Sequence, residues 1–354
     1  MNNMQALQKK HSWFPLLIVL SLLLLTACGK AQNASSPQQG QSAATSVGKE
    51  KVVVNIGIQG STGILSYARD KGAFEEAFAK AGAEVRWHEF ASGPPHFEAI
   101  ASGRLDFGAT GGTPVVSAQT GGVDFKAIAV TSDGKRNNAI VIPKNSPITD
   151  IKELKGKKIA VAKGSSAYNF LYMVLDRAGL KAEDVQIIHL QPDEARPALD
   201  TGAIDAWSTW EPYVTTALVQ TQAKSLVTGE DLHIFAPGFL IARTGFTAEH
   251  PELTVLFLKT YEEVRQYYVS HLDEVTDEFV KTKKLEREIV SKVLQNSSPI
   301  LSPITPEFAK AHQEQADFLY SVGAIKKKLD TSQVLESKFV EQALKEAGEK
   351  NKPF

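Results

Sequence analysis

The chain has 354 residues, of which 22 % are charged and 43 % hydrophobic, and its formal net charge is −1. That length can bury a sizeable core and build two lobes, and the composition excludes a disordered or low-complexity protein. The balanced charge, with no polybasic run, argues against a nucleic-acid partner.

The first 28 residues differ from the rest. Lys9 and Lys10 precede an apolar run from Trp13 to Leu25, then Thr26, Ala27 and Cys28. A positive start, a short apolar stretch and small residues before the cut describe a secretory signal peptide, and the run is short for a membrane span. Leu25-Thr26-Ala27-Cys28 resembles a bacterial lipobox, in which Cys28 becomes the lipid-modified first residue. The expectation is an exported chain, anchored on the outer face of the cytoplasmic membrane, or periplasmic in a two-membrane bacterium. A plain signal peptide with a coincidental cysteine is the alternative. Cys28 is the single cysteine, so no disulfide and no Cys-ligated metal site is expected. Residues 29–50, rich in Ala, Ser, Gln and Gly, read as a flexible tether.

From Lys51 onward the pattern is α/β. Lys51 to Ile58 is a β-branched run that suits a buried strand. The turn Gln59-Gly60-Ser61-Thr62-Gly63 leads into a helix from Ile64, with Ser61 or Thr62 as N-cap and Gly72 as C-cap. Glu84 to Phe90 alternates like a second strand, and Ser92-Gly93-Pro94-Pro95 turns into a helix near His96. Leu105 to Thr110 is a third strand. Gly111-Gly112 then forms a turn, Thr113 a cap, and Pro114 the first helical position. Phe125 to Val130 is a fourth strand.

A second set begins at Ala139 to Ile142. Lys158 to Ala162 is a strand, Lys163-Gly164-Ser165-Ser166 a turn, and Asn169 to Ala178 a helix. Val185 to Leu190 is a strand and Asp193 to Leu199 a helix. Gly202-Ala-Ile-Asp-Ala-Trp207 echoes Gly103-Arg-Leu-Asp-Phe107, as equivalent elements of two similarly built lobes would. Ser208 to Tyr213 is a turn into a helix from Val214, and Phe239 to Ala242 is a last strand. The remainder is helical: Pro251 to Ser270, Leu272 to Lys281, Leu285 to Gln295, Pro306 to Val322 and Ser332 to Glu346. Strands alternating with helices predict a parallel sheet.

Three strand-turn-helix starts, at Ser61-Thr62, Gly112-Thr113 and Ser165-Ser166, each offer unpaired backbone N–H groups and a positive dipole end. In an open α/β sheet such starts face the ligand. Clamped together they would hold a small oxyanion; separately, they are ordinary helix caps. Trp207, Trp210 and Tyr213 form either a flat wall for a ligand or a buried aromatic cluster. Glu211 among them is a contact for a ligand's amino group or a salt-bridge partner. Lys163 and Arg136 are counter-charges or solvated loop residues. Catalytic patterns are poor: the eight histidines show no HExxH spacing, no GxSxG elbow exists, and Lys163-Gly164-Ser165 lacks the P-loop glycine. No enzyme, metal or cofactor is expected.

The segments Gly103 to Pro114, Lys155 to Ser165 and Gly202 to Trp207, with Trp210-Glu-Pro-Tyr213, resemble the ABC-transporter solute-binding proteins for aliphatic sulfonates, a group with nitrate, taurine and thiamine-precursor binders as relatives. The resemblance implies a two-lobed type II periplasmic-binding-protein fold with a hinge and a ligand cleft between lobes. Residues 51–138 and 237–354 would form one lobe and 139–236 the other. It implies capture of a sulfonate for an ABC permease by a monomer. The ligand would meet Gln59, Gly60, Ser61, Thr62, Gly112, Thr113, Gly164, Ser165 and Ser166, with Trp207, Trp210 and Glu211 at its organic end. Sulfonate binders commonly carry an acidic residue in the glycine turn where this chain has Gly112-Thr113. Competing readings are a nitrate, taurine or thiamine-precursor binder, a ligand sensor, or an enzyme on the same fold.

Overall fold

A computed structural model describes residues 51–297 and 299–350. The expected signal peptide, lipobox and tether lie outside the described residues. Two five-stranded sheets organise the described chain. The strands are β1 (Val52–Gln59), β2 (Ala83–Phe90), β3 (Phe107–Gly111), β4 (Phe125–Ser132), β5 (Asn138–Ile142), β6 (Lys158–Val161), β7 (Gln186–His189), β8 (Ala206–Trp210), β9 (Lys224–Thr228) and β10 (Gly238–Arg243). One sheet has the order β2-β1-β3-β10-β4 and the other β7-β6-β8-β5-β9.

The two orders are the same order. Helices α1 (Ile64–Lys71) and α2 (Ala73–Lys80) lead from β1 to β2, α3 (Gly93–Ala101) from β2 to β3, and α4 (Gly112–Thr120) from β3 to β4. In the second lobe α5 (Ser166–Arg177), α6 (Pro192–Asp200) and α7 (Tyr213–Gln220) take the corresponding places between β6, β7, β8 and β9. The expectation of a wholly parallel sheet fails at one strand per lobe: β10 runs antiparallel to β3 and β4, and β5 antiparallel to β8 and β9. These are the strands the chain enters directly after crossing from the other lobe. With no helical crossover inside their own sheet, nothing forces them parallel.

The sequence echo has a physical basis. The Asp106 backbone N–H donates to the Asn55 carbonyl, and its carboxylate accepts from the Asn55 N–H, each at 2.9 Å. Asp205 does the same with Lys158, at 2.9 and 2.8 Å. Asp106 therefore ties the start of β3 to β1, and Asp205 the start of β8 to β6, which are equivalent pairs in the two sheets. Asp106 is additionally held by Arg243 at 3.0 and 2.7 Å.

Each sheet is covered on both faces, and side chains alternate across it with period two. Leu240 and Ala242 join the core of Phe74, Phe78, Phe107 and Phe257, while Phe239 and Ile241 join that of Phe97 and Phe125. Phe107 stacks on Phe257 with centroids 4.2 Å apart. After β10 the chain is helical through α8 (Thr244–Glu249), α9 (Pro251–Ser270), α10 (Leu272–Lys283), α11 (Arg287–Ser297), α12 (Pro306–Ser321) and α13 (Lys338–Lys350). Among the described residues no helix is long and apolar enough to cross a membrane.

Candidate functional site

A cleft of about 260 Å³ is lined by the carboxyl ends of strands from both sheets. Its size suits a small ligand. The starts of α1, α4 and α5 all reach it: Thr62, Gly63 and Ile64 from the first, Thr110 and Gly111 from the second, and Ser166 from the third. The three starts expected from sequence thus meet in one place. Their detail differs from expectation.

Neither Ser61 nor Thr62 caps α1. The N-cap is Gly63, at φ 117 and ψ 169, with no side-chain cap; only glycine occupies that backbone region readily. Thr113 does not cap α4 either. The N-cap is Gly111, again with no side-chain cap, and the helix begins at Gly112, so Pro114 stands at the third helical position. Gly111 has φ −73, and Gly112 also avoids positive φ, so backbone freedom is not why glycines stand here. Space is the reason. A Cβ on Gly111 would lie 3.1 Å from the Ser166 Cβ, and one on Gly112 would lie 2.6 Å from Gln315 Oε1 and 3.0 Å from the Pro237 carbonyl oxygen.

At α5, Ser165 is the cap as expected, and it is buried. Its hydroxyl donates to the Ala162 carbonyl at 2.7 Å. Ser166 points the other way, lines the cleft, and donates to Asn138 Oδ1 at 2.9 Å.

Of the residues singled out from sequence, Gln59, Thr62, Arg136, Ser166, Trp210 and Glu211 line the cleft. Gly60 and Ser61 line a separate groove with Arg69, Asp193 and Tyr213. Gly112, Thr113 and Ser165 are buried behind the helix starts. Gly164 packs against Ser117 and Pro94. Trp207 is 1 % exposed and belongs to a core with Ala195, Leu199 and Val214. The reason is strand periodicity: β8 runs unbroken through Trp210, and residues three apart on a strand face opposite sides.

Glu211 resolves neither as an ion pair nor as an open carboxylate. Its oxygens accept from the Thr215 N–H at 3.1 Å, the Thr215 hydroxyl at 2.8 Å and Asn296 Nδ2 at 3.0 Å. It caps the first turn of α7 from just before the helix. Burial pushes its carboxyl up, against the pull of those hydrogen bonds.

Two cations, Lys135 and Arg136, belong to the cleft lining, and both are exposed and already held in ion pairs. Lys135 pairs with Asp133 and Arg136 with Glu230, and Lys163 is an exposed loop residue away from the cleft. The neutral polar part of the lining is mostly hydroxyl and amide, from Thr62, Ser66, Thr110, Thr131, Ser132 and Ser166, with Asn296 beside them. Tyr261 and Tyr268 are also part of the lining, their phenols pushed up by burial. Thr131 and Ser132 were missed by sequence reasoning, although the end of a strand is where ligands of such sheets sit. Asn296 carried no signal.

Such a site can hold a small anion through neutral donors. The amides of a first helical turn have no intrahelical partner, and the dipole adds positive potential. Two of the three helix starts, those of α1 and α4, leave these amides without a side-chain cap of their own. Among the described residues no group of His, Cys, Asp and Glu could hold a metal ion.

Comparison with known proteins shows the family. The chain is 44 % identical to a Bacillus subtilis protein named as a candidate aliphatic sulfonates-binding protein, over 94 % of this chain and 96 % of that one. It is similar in structure to the alkanesulfonate-binding protein SsuA of Xanthomonas axonopodis pv. citri, solved bound to MOPS, with a TM-score of 0.77 and 26 % identity over 81 % of this chain and 99 % of that one. The periplasmic aliphatic sulphonate binding protein SsuA of Escherichia coli gives a TM-score of 0.70 and 30 % identity, over 80 % and 92 %. A family model described as NMT1/THI5 like matches residues 58–275. With more than half of its length inside that model, the chain belongs to the NMT1/THI5-like family.

Proposed function

We propose that this protein is the extracytoplasmic receptor of an ABC importer, which captures an aliphatic sulfonate between its lobes and delivers it to the permease. The observation that carries the reading is the pair of glycine-capped helix starts, α1 and α4, opening onto one cleft with Ser166 opposite. A sulfonate group offers three acceptor oxygens and one charge, which suits neutral donors converging from several directions. The relatives' names favour this ligand over nitrate or a thiamine precursor. The lobes are taken as 51–138 with 237–354, and 139–236. The protein acts as a monomer, without a catalytic step of its own, and is tethered to the membrane through lipid on Cys28.

Titration calorimetry with ethanesulfonate, pentanesulfonate, taurine and nitrate tests the ligand. Alkanesulfonates should bind well below millimolar, and silence from all four at millimolar concentration refutes the reading. Anchoring is tested separately. Cys28→Ser should move the protein from the membrane fraction to the soluble one, and unchanged partitioning removes the lipid.

A further inference from the structure

The α4 start is held from behind by two polar side chains of α12. His312 is fully buried and Gln315 is 6 % exposed; three residues apart, they share one helix face. Both press on Gly112, where a Cβ would meet Gln315 Oε1 at 2.6 Å and His312 Nδ1 at 3.2 Å. Gln315 Nε2 donates to the hydroxyl of Thr113 at 3.1 Å, inside the protein. His312 lies edge-on to Phe239, with centroids 5.0 Å apart.

This arrangement costs stability. Gln315 Oε1 and both ring nitrogens of His312 make no hydrogen bond of good geometry. The nearest approach to one is between the two side chains themselves, where Gln315 opposes the downward push of burial on the imidazole. Polar atoms so poorly satisfied in an interior are destabilising where leucine and methionine would not be. Such a cost, carried directly behind a turn that lines the ligand cleft, suggests a function in holding that turn. A threonine near a helix start readily turns its hydroxyl onto local backbone. The hydrogen bond from Gln315 keeps the Thr113 hydroxyl in the interior, and the packing against Gly112 fixes the direction of the amides that follow Gly111.

We propose that His312 and Gln315 are positioning residues for the anion site, holding the first amides of α4 on the line of the incoming ligand. The inference rests on the anion-capture reading given above. Neither residue touches the ligand.

The full chain carrying Gln315→Met, His312→Leu or Thr113→Val is compared with wild type in three measurements. These are pentanesulfonate affinity, the thermal midpoint, and amide hydrogen exchange of residues 112–116 without ligand. Gln315→Met should keep or raise the midpoint, weaken pentanesulfonate about tenfold, and speed exchange in the first turn of α4. Thr113→Val should reproduce that loss, and the Gln315→Met/Thr113→Val double variant should bind no worse than either single one, since both remove the same link. Thr113→Ser, which keeps the hydroxyl, should bind like wild type. Affinity within twofold of wild type in both α12 variants, or an affinity loss that only follows a falling midpoint, overturns the proposal. If wild type itself binds no alkanesulfonate, the functional reading fails, and the exchange measurement still decides whether the α12 pair orders the α4 start.

Discussion

Gly111 is the position where a charge can be set into the cleft without disturbing the backbone. Its φ of −73 and ψ of 165 are ordinary extended values, so aspartate carries no conformational penalty there. The new Cβ would sit 3.1 Å from that of Ser166, tight but relieved by a small shift. An anion held on the α4 start then faces the carboxylate of Gly111→Asp at roughly 4 Å, which costs about 1 kcal/mol at the dielectric of water and about 4 kcal/mol at an effective value near 20. Affinity should therefore fall between roughly fivefold and a thousandfold. Stability should not fall with it, because aspartate is a better N-cap than glycine by a few tenths of a kcal/mol and its charge suits the helix dipole. Gly111→Asn supplies the same shape without charge. Calorimetric titration with pentanesulfonate and thermal unfolding of both variants give the comparison. If Gly111→Asp binds as tightly as Gly111→Asn, no anion rests on this helix start.

Asp106→Ala should lower stability by about 3 kcal/mol, the low end for a broken buried pair because Arg243 reaches solvent, and leave affinity at 25 °C unchanged; denaturant unfolding measures the first and calorimetry the second. Burial lowers the pKa of both His96 and His312 to about 4. Their folded forms bind protons less readily than the unfolded chain does, so the stability from keeping them neutral is full above the unfolded value near 6.5 and is lost as pH falls toward about 4. The loss is up to roughly 2 kcal/mol for each between pH 6.5 and 5. Glu211, raised by burial, acts with the opposite sign: its contribution is present below the ordinary carboxyl value and fades as pH rises. Urea unfolding at pH 5 and pH 7 should show the histidine trend, steeper in Glu211→Gln and shallower when either histidine is replaced by leucine.

The strands were legible because runs such as KVVVNIGI and KIAVA are β-branched, and the helix starts because small residues follow each of them. The positions of the expected ligand contacts were less legible, for three physical reasons. Trp207 and Trp210 are close in sequence but, once β8 extends through both, they fall on opposite faces; reading Ser208 onward as a turn hid that parity. Thr113 has the chemistry of a cap, but its hydroxyl is engaged by Gln315, 202 residues away. The antiparallel course of β5 and β10 follows from the chain crossing between lobes twice, which no local pattern encodes. Asn296 lies on a helix recognisable in sequence, but its meeting with Glu211 is a tertiary event.

The matching topology of the two lobes sharpens what differs between them. Four helix starts follow the inner strands β1, β3, β6 and β8, and residues of all four reach the cleft. In the lobe of β5 to β9 one amide of each start has a side-chain acceptor: Ser165 accepts from the Tyr168 N–H in α5, and Glu211 from the Thr215 N–H in α7. Those of the other lobe begin after glycines, which supply no side-chain cap of their own. The uncapped starts thus lie on one side of the cleft, and the buried carboxyl of Glu211 lies on the other. On the proposed function, a sulfonate group is drawn to the α1 and α4 starts. Its organic end is turned toward Trp210 and Glu211, so that two lobes of one topology hold the two ends of an asymmetric ligand.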